Sequence, residues 1–320
     1  MTREQLKKLI QGPIATLPTP MDDNFDLDLG TMTDLVHWWV ENGLTADRAP
    51  LKVAAAMGEG PDLTDDEWPK LLKTVVDAAG SNAAVMCAIK PKDTRHTIED
   101  ARRAQDLGAI GLQIDLPFFH HPNEDDIVRF FTDISDAIDI GIMIYNTWWF
   151  GVPSLTAGTM RRLADAEHVV AVKWAVPPDV DYDQMREFSA DFNVIDNSGQ
   201  PVRCHRNGGS GYIEPTAAVY PAHALRVWDL CKAGKYDEAT ALFDSVNIPQ
   251  RTFMAKSERK SGGYRVLKGQ MEVMGWKVGP PRPPTLRLDA GELDELRDIM
   301  TGFGWPTASG GASVNDGRTT

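Results

Sequence analysis

Lys173 is the residue of this chain whose type and position most directly suggest chemistry. It ends the run Val-Val-Ala-Val-Lys, whose apolar, β-branched residues predict a buried parallel strand. A lysine at the carboxyl end of such a strand has a desolvated stem, and desolvation lowers the pKa of its amine. A neutral amine can attack a carbonyl group and form a Schiff base. A lysine here can also extend its amine to solvent, so the run alone leaves both interpretations open.

Tyr145 ends a second apolar run, Ile140–Tyr145, and the residues between the two runs have helical spacing. A strand, a helix and a strand in this order form a right-handed parallel crossover, so we expect Tyr145 and Lys173 to lie side by side at one edge of the sheet. A phenol beside such a lysine can transfer protons while a carbinolamine forms and collapses. A tyrosine at a strand end can equally be a packed aromatic residue with a hydrated hydroxyl.

The composition excludes several classes of function. The chain has 320 residues, of which 42% are hydrophobic and 25% charged, as in ordinary globular proteins. Its net charge of −13 argues against nucleic acids and anionic membranes as partners. No apolar run approaches the roughly 20 residues of a membrane span, and the charged N-terminus lacks a signal-peptide core. Three cysteines without metal-type spacing, at positions 87, 204 and 231, predict a reducing, cytoplasmic location.

Strand and helix patterns alternate along most of the chain. The predicted strands are Pro13–Pro18, Leu51–Ala56, Ala84–Lys90, Gly111–Leu116, Ile140–Tyr145, Val169–Lys173, Asn193–Asp196 and Gly211–Thr216. Eight strand–helix units in about 215 residues predict an α/β fold, a (β/α)8 TIM barrel. An open doubly wound sheet is the alternative, but no Gly-x-Gly-x-x-Gly turn follows the first strand.

The predicted organisation has four parts. These are an N-terminal helix (1–11), the barrel (12–220), a C-terminal helical region (221–305) and a polar tail (306–320) that is predicted to be disordered. In the C-terminal region the patterns predict helices at Ala222–Ala233, Tyr236–Asn247, Ser257–Met274 and Ala290–Met300.

From about Gly12 to about Pro284, a series of short motifs resembles the dihydrodipicolinate synthase / N-acetylneuraminate lyase family. The matching motifs are Thr19-Pro20, Gly58-Glu59, Leu63-Thr64 with Glu67, Tyr145-Asn146, Val172-Lys173, Gly208–Ile213, Pro221, Gly234, Ala239, and Lys268, Gly275, Gly279 with Arg282-Pro283. The resemblance implies a lyase in which Lys173 condenses with a 2-oxo acid, pyruvate or a related compound, while Tyr145 transfers protons. It also implies a homotetramer or homodimer and neither a metal nor an organic cofactor.

The chain departs from this family in the loop that binds the carboxylate of the oxo acid. The family reads Gly-Thr-Thr-Gly-Glu there, but Ala56 and Met57 replace both hydroxyl residues. Alanine has no polar side-chain atom and a thioether is only a weak acceptor, so neither can relay a proton. Backbone N–H groups around Met57 and Gly58 can still bind the carboxylate. We expect Glu59 to support the loop backbone rather than to act as a general base.

Aromatic residues replace polar ones at two further positions of the expected rim. Phe119 stands where the family has a tyrosine that reaches a neighbouring subunit, and it is followed by His120 and His121. Either histidine is a candidate acid or base, because imidazole titrates near neutral pH; solvated loop histidines are the alternative. Trp148 and Trp149 occupy the region where the family has an arginine for a second carboxylate.

These departures predict how the rest of the substrate is bound. With Trp174, which follows Lys173, the tryptophans favour a flat or apolar substrate tail; packing between subunits is the alternative. Ile213, at the end of the eighth strand, is also predicted to contact substrate. The turn residues Arg203, His205 and Arg206 are candidates for a carboxylate-binding charge or a solvated basic turn.

The leading hypothesis is a Schiff-base lyase, of aldolase or hydratase-aldolase type, acting on a 2-oxo acid with an apolar or aromatic substituent. A dehydratase of a deoxy sugar acid would use the same lysine and tyrosine, but it would need more polar groups at the rim. A diverged barrel that binds a small ligand without turnover is the third possibility, suggested by the loss of both loop hydroxyls.

Overall fold

A computed structural model of the chain describes residues 1–119 and 121–308, except for the side chains of residues 258–260. Eight parallel strands close into a barrel in chain order, with the eighth beside the first. They are β1 Gly12–Thr16, β2 Leu51–Val53, β3 Val85–Ile89, β4 Gly111–Asp115, β5 Gly141–Tyr145, β6 Val169–Trp174, β7 Asn193–Asp196 and β8 Gly211–Ile213. The predicted TIM barrel is confirmed, and the open doubly wound sheet is wrong because the sheet has no free edge.

Eleven α-helices are found in the described residues. They are α1 Arg3–Leu9, α2 Leu29–Glu41, α3 Glu67–Ala79, α4 Thr94–Asp106, α5 Glu124–Ser135, α6 Ala157–Arg162, α7 Pro201–Arg206, α8 Pro221–Lys232, α9 Tyr236–Ser261, α10 Tyr264–Val273 and α11 Ala290–Gly302. The predicted break between Asn247 and Ser257 is wrong, because α9 continues through Pro249. Val246 and Phe253 are buried on either side of the proline, so packing supports the helix there. Residues 309–320, most of the predicted tail, lie outside the described residues.

The alternation of side chains along the strands creates two apolar environments. Residues such as Leu51 and Val53 point outward and pack against the helices in the main core. Five inward-facing residues meet Leu6 of α1 and Ile10, the residue that follows this helix, and these two close the bottom of the barrel. The five are Ile14, Met86, Met143, Ala171 and Ile195. Side chains alternate along a strand. Each residue that lies between two outward-facing residues therefore points into the barrel, above the apolar cluster around Leu6 and Ile10.

Neither a membrane-spanning helix nor a metal-binding cluster occurs in the described part of the chain. No helix within residues 1–119 and 121–308 is both long and apolar enough to span a bilayer. The same residues contain no group of three or more His, Cys, Asp or Glu side chains placed to hold a metal ion. Cys87, Cys204 and Cys231 are buried free thiols.

Candidate active site

Lys173 and Tyr145 lie side by side at the carboxyl end of the barrel, where the predicted crossover places them. The two residues are partners in the register of β5 and β6, and the Lys173 Nζ lies 3.4 Å from the centroid of the Tyr145 ring. Only 6% of Lys173 is exposed. Burial, together with the nearby positive charge of Lys52, lowers the pKa of Lys173 well below its ordinary value. This shift increases the neutral fraction of the amine, the form that attacks a carbonyl.

The environment of Tyr145 favours its protonated form. Burial and the neighbouring Asp115 raise the pKa of Tyr145 to about 12, and a hydrogen bond from Asn197 opposes this shift only partly. The phenol therefore keeps its proton at neutral pH. The O–H proton is then available to a reactant bound at Lys173, as general acid catalysis requires.

A cavity of about 390 Å³ opens above this pair, and its lining combines apolar and polar residues. The apolar residues are Ala55, Ala56, Met57, Ile213, Pro215 and Phe243. The polar residues include Asp196, Asn197, Ser198, Glu214, Asn247 and Arg251. A substrate whose reacting carbon lies at Lys173 would therefore meet both kinds of side chain.

The loop after β2 brings Ala56 and Met57 to the cavity but turns Gly58 away from it. Residues Ala56–Gly58 form one 3-10 turn, and the Gly58 N–H is bonded to the Ala55 carbonyl at 2.8 Å. Gly58 is therefore not available to bind a carboxylate. In the described residues no group accepts from the N–H of Ala56 or Met57. A Cβ on Gly58 would lie 2.3 Å from the Leu17 carbonyl oxygen, so only glycine fits here.

This loop is strained at both ends and anchored by a buried ion pair. Ala54 and Glu59 have left-handed φ values of 55° and 59°, which cost of the order of 1–3 kcal/mol each. The Glu59 carboxylate lies 2.6 Å from the Lys268 amine and accepts a hydrogen bond from the Arg282 N–H at 3.2 Å. Burial raises the pKa of Glu59, while Lys268 opposes the shift. These contacts agree with the loop-supporting role expected of Glu59.

Trp174 does not reach the cavity, so the prediction that it binds substrate is wrong. Its side chain is completely buried, its indole N–H donates to the Tyr182 carbonyl at 3.0 Å, and its ring packs edge-on against Phe188. The reason is the alternation of strand side chains: because Lys173 points into the barrel, its neighbour points out towards the helices.

Phe118, Phe119, Trp148, Trp149 and Phe150 form a connected aromatic patch beside the cavity mouth. Trp149 reaches the site most closely, since its ring lies edge-on to Tyr145 with centroids 5.4 Å apart. Phe119 is 72% exposed. None of these five residues lines the cavity itself, so the substrate contacts expected of Phe119, Trp148 and Trp149 stay predictions.

His120 and His121 were the candidate acids or bases at this rim. His121 is exposed and has a φ of 47°, so it lies in a solvent-facing turn. His120, the other candidate acid or base, lies outside the described residues. The proton-transfer role suggested for either residue stays a prediction.

The basic residues after β7 are engaged elsewhere. On α7, Arg203 pairs with Asp183 at 2.8 Å, and His205 lies 3.2 Å from the Tyr236 hydroxyl. Neither Arg203, His205 nor Arg206 lines the cavity. The arginine that does line it is Arg251 of α9. Sequence reasoning missed it because tertiary packing, rather than any local pattern, places α9 over the barrel mouth.

Sequence reasoning also missed the charged groups inside the barrel. Lys52 is completely buried and donates a hydrogen bond of 2.8 Å to the Gln113 side chain. Burial lowers the pKa of Lys52 to about 7, although Asp115 opposes the shift. Asp115 also pairs with Lys90 at 3.4 Å. The signal was present in the sequence, because Lys52 stands alone between the apolar residues of a buried strand.

A parallel barrel with a buried lysine and a tyrosine at its mouth is the arrangement of a class I aldolase-type lyase. The chain belongs to the Dihydrodipicolinate synthetase family, whose profile matches residues 9–302. It is 28% identical to the 4-hydroxy-tetrahydrodipicolinate synthase of Acidothermus cellulolyticus over 315 residues, 95% of this chain and 96% of the relative. It is 29% identical to the enzyme of the same name from Cutibacterium acnes over 272 residues, 85% of this chain and 90% of the relative.

Solved structures agree with this assignment at the level of the fold. Dihydrodipicolinate synthase from Aquifex aeolicus has a TM-score of 0.82 at 20% identity, covering 94% of this chain and 100% of that chain. The chloride-inhibited dihydrodipicolinate synthase from Acinetobacter baumannii, complexed with pyruvate, has a TM-score of 0.81 at 22% identity, covering 92% and 99%. The resemblance inferred from the motifs is thus confirmed as family membership.

Proposed function

We propose that this protein forms a Schiff base between Lys173 and a pyruvate-type 2-oxo acid, and then makes or breaks a carbon–carbon or carbon–oxygen bond in that substrate. The observation that carries the proposal is the buried Lys173 amine, with its lowered pKa, beside Tyr145 at the base of the cavity. The pyruvate bound to the Acinetobacter baumannii relative supports this substrate class.

Tyr145 has a defined part in this proposal. The neutral Lys173 nitrogen attacks the C2 carbonyl carbon, loses a proton, and the carbonyl oxygen becomes the hydroxyl of a carbinolamine. Loss of that hydroxyl as water, after proton donation by Tyr145, leaves the imine. In its protonated form the imine withdraws electrons from the neighbouring carbon, so a bond to the substituent can form or break. The raised pKa of Tyr145, which keeps its phenol protonated, suits the donor role.

The altered loop can still bind the carboxylate of the oxo acid. The N–H groups of Ala56 and Met57 are adjacent, lie at the cavity and have no acceptor among the described residues. Consecutive backbone N–H groups in a turn can form a concavity that binds anions. We therefore assign the carboxylate to this turn, with Gly58 shaping the turn instead of donating to the ligand.

The walls of the cavity support a polar substrate tail best. Asn197, Ser198, Asn247 and Arg251 line the cavity, and such groups can bind hydroxyl or carboxylate substituents. This observation favours the second candidate, a dehydratase or aldolase acting on a hydroxylated oxo acid. An apolar or aromatic tail is supported by Met57 at the cavity and by Trp149 beside Tyr145.

The aromatic patch supports the expected homo-oligomer. Phe119, Trp149 and Phe150 are exposed together on one surface, and aromatic residues are enriched at the centres of protein interfaces. We propose that a second copy of the chain covers this patch in a dimer or tetramer. Light scattering on the native protein and on Phe119→Ser should show a smaller particle for the variant; equal masses would argue against this surface.

Borohydride trapping with pyruvate is the direct test of the chemistry. Reduction should fix a pyruvate-sized adduct on Lys173, located by peptide mass analysis, and Lys173→Ala should give none. The control is Lys73→Ala, which removes an exposed lysine of α3 that lies outside the cavity. Failure to trap any 2-oxo acid on folded native protein would reject the proposed function.

Substrate series distinguish the candidate tails and the non-catalytic alternative. Arylidene-pyruvates and 2-oxo-3-deoxy sugar acids should be compared by kcat/KM. The hydroxylated compounds should have the higher values if the polar residues of the cavity bind the tail. Calorimetric titration of Lys173→Ala with the same oxo acids tests whether the barrel only binds a ligand. If the variant binds as tightly as the native protein, and the native protein shows no turnover, the non-catalytic alternative is favoured.

A further inference from the structure

Lys52 is a second buried lysine inside the barrel, and the chemistry proposed above leaves it without a role. It lies on β2 between Leu51 and Val53, which pack outward, so its side chain points into the barrel. It is completely buried, and its Nζ donates to the Gln113 carboxamide oxygen at 2.8 Å. An apolar side chain would fill this space without the cost of desolvating an amine.

Other ionisable groups face the two lysines from the neighbouring strands. They are Lys90 after β3, Asp115 on β4, Tyr145 on β5, and, across the cavity, Asp196 on β7 and Glu214 after β8. The charge of Asp115 is shared with Lys90, which lies 3.4 Å away. Burial raises the pKa of both Asp196 and Glu214, which weakens the negative charge they offer. The interior therefore stabilises two additional ammonium groups poorly.

The surroundings of the two lysine amines decide which of them carries a proton more easily. Lys52 has an amide oxygen as its acceptor, and a hydrogen bond to such an oxygen stabilises the charged form of the amine. In the described residues no oxygen accepts from Lys173, whose Nζ lies over the Tyr145 ring. Once Lys52 is charged, repulsion disfavours a second charge on Lys173. This repulsion agrees with the lowered pKa of Lys173, to which the charge of Lys52 contributes.

We propose that Lys52 is a positioning residue that carries the positive charge accepted by the barrel interior and so keeps Lys173 neutral and nucleophilic. The inference rests on the Schiff-base function proposed above and adds how its nucleophile is activated. Lys52 does not line the cavity, so it acts on Lys173 through its charge. A neighbouring cation is one of the ways in which a lysine nucleophile is activated.

Loss of Lys52 should change the pH dependence of imine formation at Lys173. With Lys52 present, a second proton enters the interior only at low pH, so Lys173 stays neutral down to that pH. Without Lys52, Lys173 takes the proton itself, its pKa rises, and imine formation requires a higher pH. At high pH Lys173 is neutral in both proteins, so their rates converge.

The test compares Lys52→Met with Lys52→Arg. Rates of pyruvate imine formation, measured by borohydride trapping between about pH 5.5 and pH 10, give the apparent pKa of Lys173 in each protein. Lys52→Met should shift this value upward by about one unit, equivalent to a roughly tenfold slower reaction at pH values below both apparent pKa values. Lys52→Arg, which keeps the charge, should show no upward shift. An unchanged profile for Lys52→Met, or an equal loss at every pH, would overturn the proposal.

Two further measurements distinguish loss of the Lys52 charge from misfolding of the variant and from failure of the Schiff-base function. Should Lys52→Met fail to fold, Gln113→Leu removes the acceptor of Lys52 and should shift the profile in the same direction by a smaller amount. Competitive acetylation of Lys173 across the same pH range reports its pKa without any oxo acid. If no oxo acid is trapped, the Schiff-base function fails while acetylation still tests Lys52. If trapping succeeds but acetylation shows the same Lys173 pKa with and without Lys52, only the role of Lys52 is rejected.

Discussion

Tyr145 and Lys173 are register partners on adjacent strands, and this pairing places the lysine amine over the face of the tyrosine ring at 3.4 Å from its centroid. The ring covers one side of the amine, while the cavity opens at another. A carbonyl carbon can therefore approach the nitrogen only from the cavity. The same contact keeps the phenol close to the amine, so one pair of strands positions the proposed nucleophile and the proposed proton donor.

Tyr145→Phe should separate the orienting effect of the ring on Lys173 from proton donation by the hydroxyl. The variant keeps the ring that orients Lys173 but loses the hydroxyl, so the rate of imine formation should fall by about 10²–10⁴-fold. Thermal stability should change little, because the packing of the ring is preserved. The control is Tyr264→Phe, whose hydroxyl binds Asp62 at 2.8 Å outside the cavity. A Tyr145→Phe rate equal to that of the control would assign proton transfer to another group.

The sequence predicted the barrel and the central pair because both depend on strong local patterns. Apolar β-branched runs locate strands, and a strand–helix–strand unit has one favoured handedness, so Tyr145 and Lys173 had to meet. The outward direction of the Trp174 side chain also follows from the alternation of side chains along a strand. The aromatic residues expected at the rim nevertheless included Trp174. Arg251 could not be predicted, because it comes to the cavity through the packing of α9, whose continuation past Pro249 depends on tertiary contacts.

The two tryptophans nearest the reactive pair should respond differently to truncation. Trp174→Ala leaves a void between the barrel and Phe188, so the free energy of unfolding should fall by about 3–5 kcal/mol. Trp149→Ala removes an exposed ring and should cost less than about 1 kcal/mol. Urea denaturation followed by circular dichroism measures both. Equal losses would contradict the burial of Trp174 and the exposure of Trp149 seen here.

The ion pair between Glu59 and Lys268 should matter through the strained loop that it anchors. Lys268→Met leaves the Glu59 carboxylate buried without its cation, and breaking such pairs costs about 3–5 kcal/mol. Because burial already raises the pKa of Glu59, loss of Lys268 should raise it further, so Glu59 takes up a proton as the pH falls towards neutral. The variant should therefore be least stable at high pH, where Glu59 must be charged.

A double variant provides the control for this pair. Glu59→Gln with Lys268→Met removes both charges, so much of the lost stability should return, and the pH dependence due to Glu59 should disappear. Urea denaturation at several pH values measures both effects. A double variant that is no more stable than Lys268→Met would show that packing of the lysine stem, rather than the ion pair, stabilises this region.

Arg251 should determine affinity for the substrate tail without affecting imine formation at Lys173. It lines the cavity from α9, and its guanidinium reaches the turn at Gly199, where a Cβ would lie 3.2 Å from Nη1. Arg251→Leu should raise KM for oxo acids with an anionic or hydroxylated tail by about 5- to 10-fold, equivalent to roughly 1 kcal/mol for a solvent-accessible contact. Trapping of pyruvate, which has no tail, should be unchanged. The matched control is Arg203→Leu, since Arg203 pairs with Asp183 outside the cavity. An equal rise in KM for both variants would mean that net charge at the barrel mouth, rather than contact with Arg251, governs binding of the tail.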